Sequence, residues 1–107
     1  MKLWTAVALM LLTQPAAAQS PHDRGLPTDP VSVYMRLCSF CHDDGQIGAP
    51  IIGDKGAWAP YLKKSREQMY RDVLEGGNHM PGRRGRRGYT DEEIKRATDF
   101  LLSGVTD

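Results

Sequence analysis

Cys38-Ser39-Phe40-Cys41-His42 holds the only two cysteines of the 107-residue chain, three positions apart, with a histidine directly after the second. That spacing is the pattern of covalent attachment of a c-type haem. Each thiol can add to one vinyl group of the porphyrin, and two intervening residues let one helical turn present both sulfurs to the same ring edge. His42 is then carried beneath the ring, where its imidazole can bind iron as the proximal ligand. Other readings of the motif ask for partners the chain does not offer. A thioredoxin-like dithiol wants strands alternating with helices, and a structural zinc site wants four ligands, for which there is no second Cys-x-x-Cys and no His-x₃₋₅-His pair. A chance pentapeptide, with the cysteines forming nothing or a strained small loop, is the remaining reading.

A second axial ligand must come from elsewhere. Met80, in the loop Asn78-His79-Met80-Pro81-Gly82, is the foremost candidate. Its thioether is soft and neutral, favours ferrous over ferric iron and raises the potential, and a loop anchored by Pro81 is long enough to pass around the ring to the face opposite His42. His79 is its rival, since imidazole also binds iron. Met35 and Met69 lie in helical patterns and read as packing, and His22 as an inert side chain. A metal-bound histidine usually gives its other ring N–H to a carbonyl or carboxylate. The carbonyl of Pro50, in the Gly-rich loop after His42, can accept it. Trp58 reads as a core aromatic whose indole N–H wants a buried acceptor such as a haem propionate.

The elements that position these residues read as helices. Asp29-Pro30 combines a cap for free amides with a proline preset for the first turn, and Val33, Tyr34 and Leu37 form an apolar face running into Cys38. Ser65 with Gln68, and Thr90 with Glu93, match capping boxes. The first opens a helix carrying Met69, Tyr70, Val73 and Leu74 that stops at Gly76-Gly77; the second opens one carrying Ile94, Ala97 and Leu101 that ends at Ser103-Gly104. Between them Arg83, Arg84, Arg86 and Arg87 form the densest charge run, either a solvated loop tip or a local positive patch that steers an acidic partner.

Lys2, the uncharged run Leu3–Leu12 and Ala16-Ala17-Ala18 have the order of a secretory signal peptide cleaved after Ala18. The apolar run is too short for a bilayer core of about 30 Å, which needs roughly 20 residues, so no stable membrane insertion is expected. The implied division is a signal peptide at 1–18, a flexible Pro/Gly/Asp-rich leader at 19–29 and one domain at 30–107. Of 14 Lys+Arg and 13 Asp+Glu, only Lys2 precedes the cleavage point, so the mature chain is close to neutral and nothing asks for nucleic acid. So small a domain buries a limited share of its surface, and a large apolar prosthetic group supplies the missing core.

With these residues in view the chain resembles the class I c-type cytochromes, closest to the cytochrome c5-like monohaem group. The likeness runs over about residues 30 to 102 and includes, beyond the pentapeptide, Gly48-Ala49-Pro50, Gly53-Asp54, Trp58, Gly76, Met80-Pro81 and Thr90-Asp91-Glu92-Glu93. It implies an all-α fold, a small cytochrome c domain of about three to four helices wrapped around one covalently bound haem c with its iron. It also implies axial ligands His42 and Met80, a Pro50 carbonyl supporting His42, and Trp58 near a propionate. The implied function is a periplasmic carrier of single electrons between redox partner proteins, docking at Arg83, Arg84, Arg86 and Arg87, and not an enzyme. The alternatives are a haem subunit of a dehydrogenase complex, or a five-coordinate ligand-binding or peroxidase-like protein in which Met80 does not bind. Two departures stand out: Tyr61 occupies the place where the family often has an arginine for a propionate, leaving that charge missing or supplied by Lys63 or Lys64, and the arginine run replaces the usual stretch after the methionine.

Overall fold

The structure, a computed structural model, describes residues 20–77 and 79–106. The expected signal peptide at 1–18 lies outside the described residues. Among those described there are five α-helices and no strand: α1 (Pro30–Leu37), α2 (Ser39–His42), α3 (Lys55–Trp58), α4 (Arg66–Glu75) and α5 (Asp91–Ser103). Two of these, α2 and α3, are single turns of 4 residues, so three longer helices carry the architecture. No described helix is long and apolar enough to cross a membrane.

Each long helix starts where its cap dictates. The Asp29 carboxylate accepts from the Ser32 amide with Pro30 in the first turn, satisfying amides that have no partner inside the helix. The Thr90–Glu93 capping box is complete: the Thr90 hydroxyl accepts from the Glu93 amide and the Glu93 carboxylate accepts from the Thr90 amide. At Ser65 the box is only half built, because the hydroxyl accepts from the Gln68 amide at 3.1 Å while the Gln68 side chain turns away to Asp72 at 2.8 Å.

The apolar stripe of α1, through Val33 and Tyr34, packs against Ile94, Ala97, Leu101 and Leu102 of α5. Tyr34 adds an edge-on contact with Phe100, ring centroids 5.4 Å apart. Helix α4 lies on α5 with Met69, Val73 and Leu74 half-buried. Arg66 and Tyr70 both donate to Asp99 Oδ1, at 2.6 and 2.5 Å, and fix the pairing of the two helices. Met35 corrects its reading as a packing residue: it is 65% exposed.

The leader, where described, is not a free tether. Residues 20–25 form a turn, Pro21 is buried, and His22 Nε2 lies 2.9 Å from Glu93 Oε1 at the start of α5. His22 therefore has a structural partner rather than being inert, joining the segment before α1 to the helix on which α1 packs.

Candidate haem-binding site

Helices α1 and α5, the loop after His42 and the loop around Met80 enclose a cavity of about 470 Å³. Its wall includes both cysteines, His42, Met80, His79, Pro50 and Trp58, with apolar lining from Val33, Leu37, Ile94, Leu101 and Leu102. An apolar cavity with two thiols and an imidazole on its wall has the donor set and surface that a covalently attached haem requires.

Cys38 ends α1: its amide donates to the Tyr34 carbonyl at 2.8 Å, and its own carbonyl accepts from His42 at 3.0 Å to open α2. The motif is thus a bend between two helices, which puts Cys38, Cys41 and His42 on one wall. Burial, with the neighbouring Cys41 adding to it, pushes the Cys38 thiol up to about 11. The strands alternating with helices that a redox dithiol would sit on are not found among the described residues. Among the described residues no group of three His, Cys, Asp or Glu side chains is placed to hold a metal ion, and the zinc reading has no ligand set there.

His42 is held on three sides. Its Nδ1 lies 2.8 Å from the Pro50 carbonyl oxygen, its ring stacks on Trp58 with centroids 5.4 Å apart, and its backbone carbonyl accepts from Ile52 at 2.8 Å. A carbonyl can only accept, so this contact places the proton on Nδ1 and leaves Nε2 with its lone pair. The loop reaches this position through left-handed turns at Gly45 (φ 76°) and Ile47 (φ 55°).

Trp58 corrects one expectation: its indole N–H donates to the Ile51 carbonyl at 2.9 Å and is not left for a propionate. It is buried against His42 and Tyr61, where it braces the imidazole. Lys64, expected as a propionate counter-charge, pairs with Asp72 at 2.9 Å; Lys63 is exposed and off the cavity wall.

Met80 is positioned by its backbone. Gly77 and Met80 exchange two hydrogen bonds, at 2.9 and 3.4 Å, closing a tight turn. Gly82, buried with φ 61°, lies so close to the end of α4 that a Cβ there would stand 2.6 Å from Glu75 and Gly76 backbone atoms. The loop is therefore clamped to α4. Met80 is half-buried, whereas His79 is exposed with φ 70°.

The arginine run divides. Arg83, Arg84 and Arg87 are exposed, but Arg86 turns inward, lines the cavity and pairs with Asp91. This corrects its assignment to a solvent-facing patch of four. The inward turn of Arg86 and the Trp58–His42 stack are the features of the site that sequence reasoning missed; the only hint of the first is an acid at the start of α5, five positions on.

Residues 25–101 match the family described as cytochrome C oxidase, cbb3-type, subunit III. The chain is 32% identical over 75 residues to cytochrome c-555 of Chlorobaculum thiosulfatiphilum, covering 66% of this chain and 87% of that protein. It is 31% identical over 67 residues to cytochrome c5 of Azotobacter vinelandii, covering 61% of this chain and 81% of that protein. A similar solved structure is the cytochrome c in an electron transfer complex of nitrite reductase with cytochrome c. There the TM-score is 0.65 and the identity 30%, over 75% of this chain and 96% of that one. These relatives are small cytochromes c, electron carriers rather than enzymes.

Proposed function

The chain belongs to the class I monohaem c-type cytochromes, and on that premise we propose that it is a periplasmic carrier of single electrons, with His42 and Met80 as the axial ligands of one haem c. The observation that carries this reading is a cavity whose wall holds both thiols, an imidazole with Nδ1 engaged by Pro50, and Met80. Covalently held haem c supplies exchange of one electron at iron.

The protein's own residues set the conditions for that exchange. His42 offers Nε2 because the Pro50 carbonyl holds the proton on Nδ1. Trp58 keeps the imidazole from swinging. The Gly82 clamp presents a neutral sulfur on the cavity wall, and iron held by both His42 and Met80 would have no position left for a substrate. Val33, Leu101 and Leu102 keep water from the interior, which limits reorganisation when charge changes.

Phe40, between the two cysteines, is 77% exposed, and the attachment edge at Cys38 and Cys41 is the natural exit for an electron. Exposed Arg83, Arg84 and Arg87 would steer an acidic partner protein. The nitrite reductase complex of the similar cytochrome c supports a redox protein as partner. Lys2, Leu3–Leu12 and Ala16-Ala17-Ala18 support export with a mature chain starting at Gln19, which the N-terminal mass of the purified haem protein checks.

Carbon monoxide uptake by the ferrous protein tests the ligand set. The wild type is expected to resist it and Met80→Ala to bind readily; ready uptake by the wild type would favour the five-coordinate ligand-binding alternative.

A further inference from the structure

Among the described residues three buried side-chain donors lack a partner: Arg86 Nε, Arg86 Nη2 and the Tyr89 hydroxyl. Only Arg86 of these two residues lines the cavity. Its third nitrogen, Nη1, is engaged by Asp91 Oδ1 in the first turn of α5. Nε–H and Nη2–H lie on the same edge of the planar guanidinium and point the same way, the side-on fork that matches the two oxygens of a carboxylate. Leaving such charged donors buried and unpaired is costly. Asp91 thus holds the guanidinium in place while its carboxylate-binding edge stays free.

We propose that Arg86 is the seat for a propionate carboxylate of the bound haem, gripping it through Nε and Nη2. Lys64, the one other lysine or arginine on the described wall, is committed to Asp72, His42 Nδ1 lies against the Pro50 carbonyl and the Trp58 indole donates to Ile51. Arg86 supplies a positive charge to the wall that Tyr61 also lines. It follows directly on the Gly82–Gly85 turn, so the loop that presents Met80 also presents the counter-charge. The proposal rests on the covalent haem of this family and is independent of whether Met80 binds iron.

The test is the midpoint potential of the holoprotein followed against pH by spectroelectrochemistry in wild type, Arg86→Gln and Arg86→Lys. An adjacent guanidinium lowers a carboxylate pKa by about 1–3 pH units. The pH at which the potential inflects, where the propionate titrates, is therefore expected to rise by about that much in Arg86→Gln. Arg86→Lys, which keeps the charge and loses the fork, is expected to move it the same way by less, and it reads the same quantity should Arg86→Gln fail to assemble. His79 lines the same cavity, so the series is repeated with His79→Gln to take the imidazole off the wall. An inflection unmoved in an assembled Arg86 variant would overturn the proposal. Absence of Met80 ligation would show separately, as a missing sulfur-to-ferric-iron charge-transfer band at every pH.

Discussion

The imidazole of His42 and the indole of Trp58 lie stacked, ring centroids 5.4 Å apart and planes inclined by 24°. Trp58 also donates to Ile51, so one side chain fixes both the His42 ring and the loop that covers it.

Trp58→Ala should therefore remove both a core aromatic and the brace. A loss of about 3–5 kcal/mol in unfolding free energy is expected for such a truncation, measured by denaturant unfolding of the holoprotein. Trp58→Phe, which keeps a stacking ring, should lose clearly less. Equal stability of Trp58→Ala and wild type would remove Trp58 from its bracing role.

Gly82→Ala puts a Cβ 2.6 Å from Glu75 and Gly76 backbone atoms at a position with φ 61°. The left-handed backbone alone costs a non-glycine residue about 1–3 kcal/mol, and the clash with backbone adds to it. The Met80 loop should separate from α4, seen as lowered stability together with a growing high-spin fraction in the oxidised spectrum.

Glu93 links the leader to α5. Burial by itself would raise its pKa, but the Thr90 amide, His22 and the Thr90 side chain outweigh it, and the group sits below its ordinary 4.5. A carboxylate depressed in the folded state stabilises fully above its unfolded pKa, and that contribution is lost as pH falls through the folded value. Thermal stability should accordingly drop on acidification below about pH 4.5, and less steeply in Glu93→Gln and His22→Ala. Parallel curves for all three proteins would exclude this pair as a source of acid sensitivity.

Neutralising Arg83, Arg84 and Arg87 together while keeping Arg86 should slow oxidation of the ferrous protein by hexacyanoferrate, an anionic probe. About tenfold at low ionic strength is expected if their field reaches the haem edge, with the difference vanishing at high salt. Equal rates at low salt would place the patch away from the electron-transfer edge.

What the sequence made legible was what neighbours along the chain decide. Asp29-Pro30, Ser65 and Thr90 open helices where their cap chemistry requires, and the cysteine spacing needs only one bend to put both thiols on one wall. The rest turned on groups far apart in sequence. Gln68 left its capping box for Asp72, the Trp58 indole found a closer acceptor than a propionate, and Arg86 left its charge run because Asp91 drew it inward. His22 looked free only because its partner, Glu93, lies 71 positions on. A side chain's local pattern says what it can bond to, and the fold decides which of those partners arrives.

The proposed axial pair, His42 and Met80, is most directly tested by the absorption spectrum of the oxidised, mature haem protein. A sulfur-to-ferric-iron charge-transfer band is expected in the wild type, retained in His79→Ala and lost in Met80→Ala. A high-spin wild-type spectrum, or a band that survives in Met80→Ala, would contradict it.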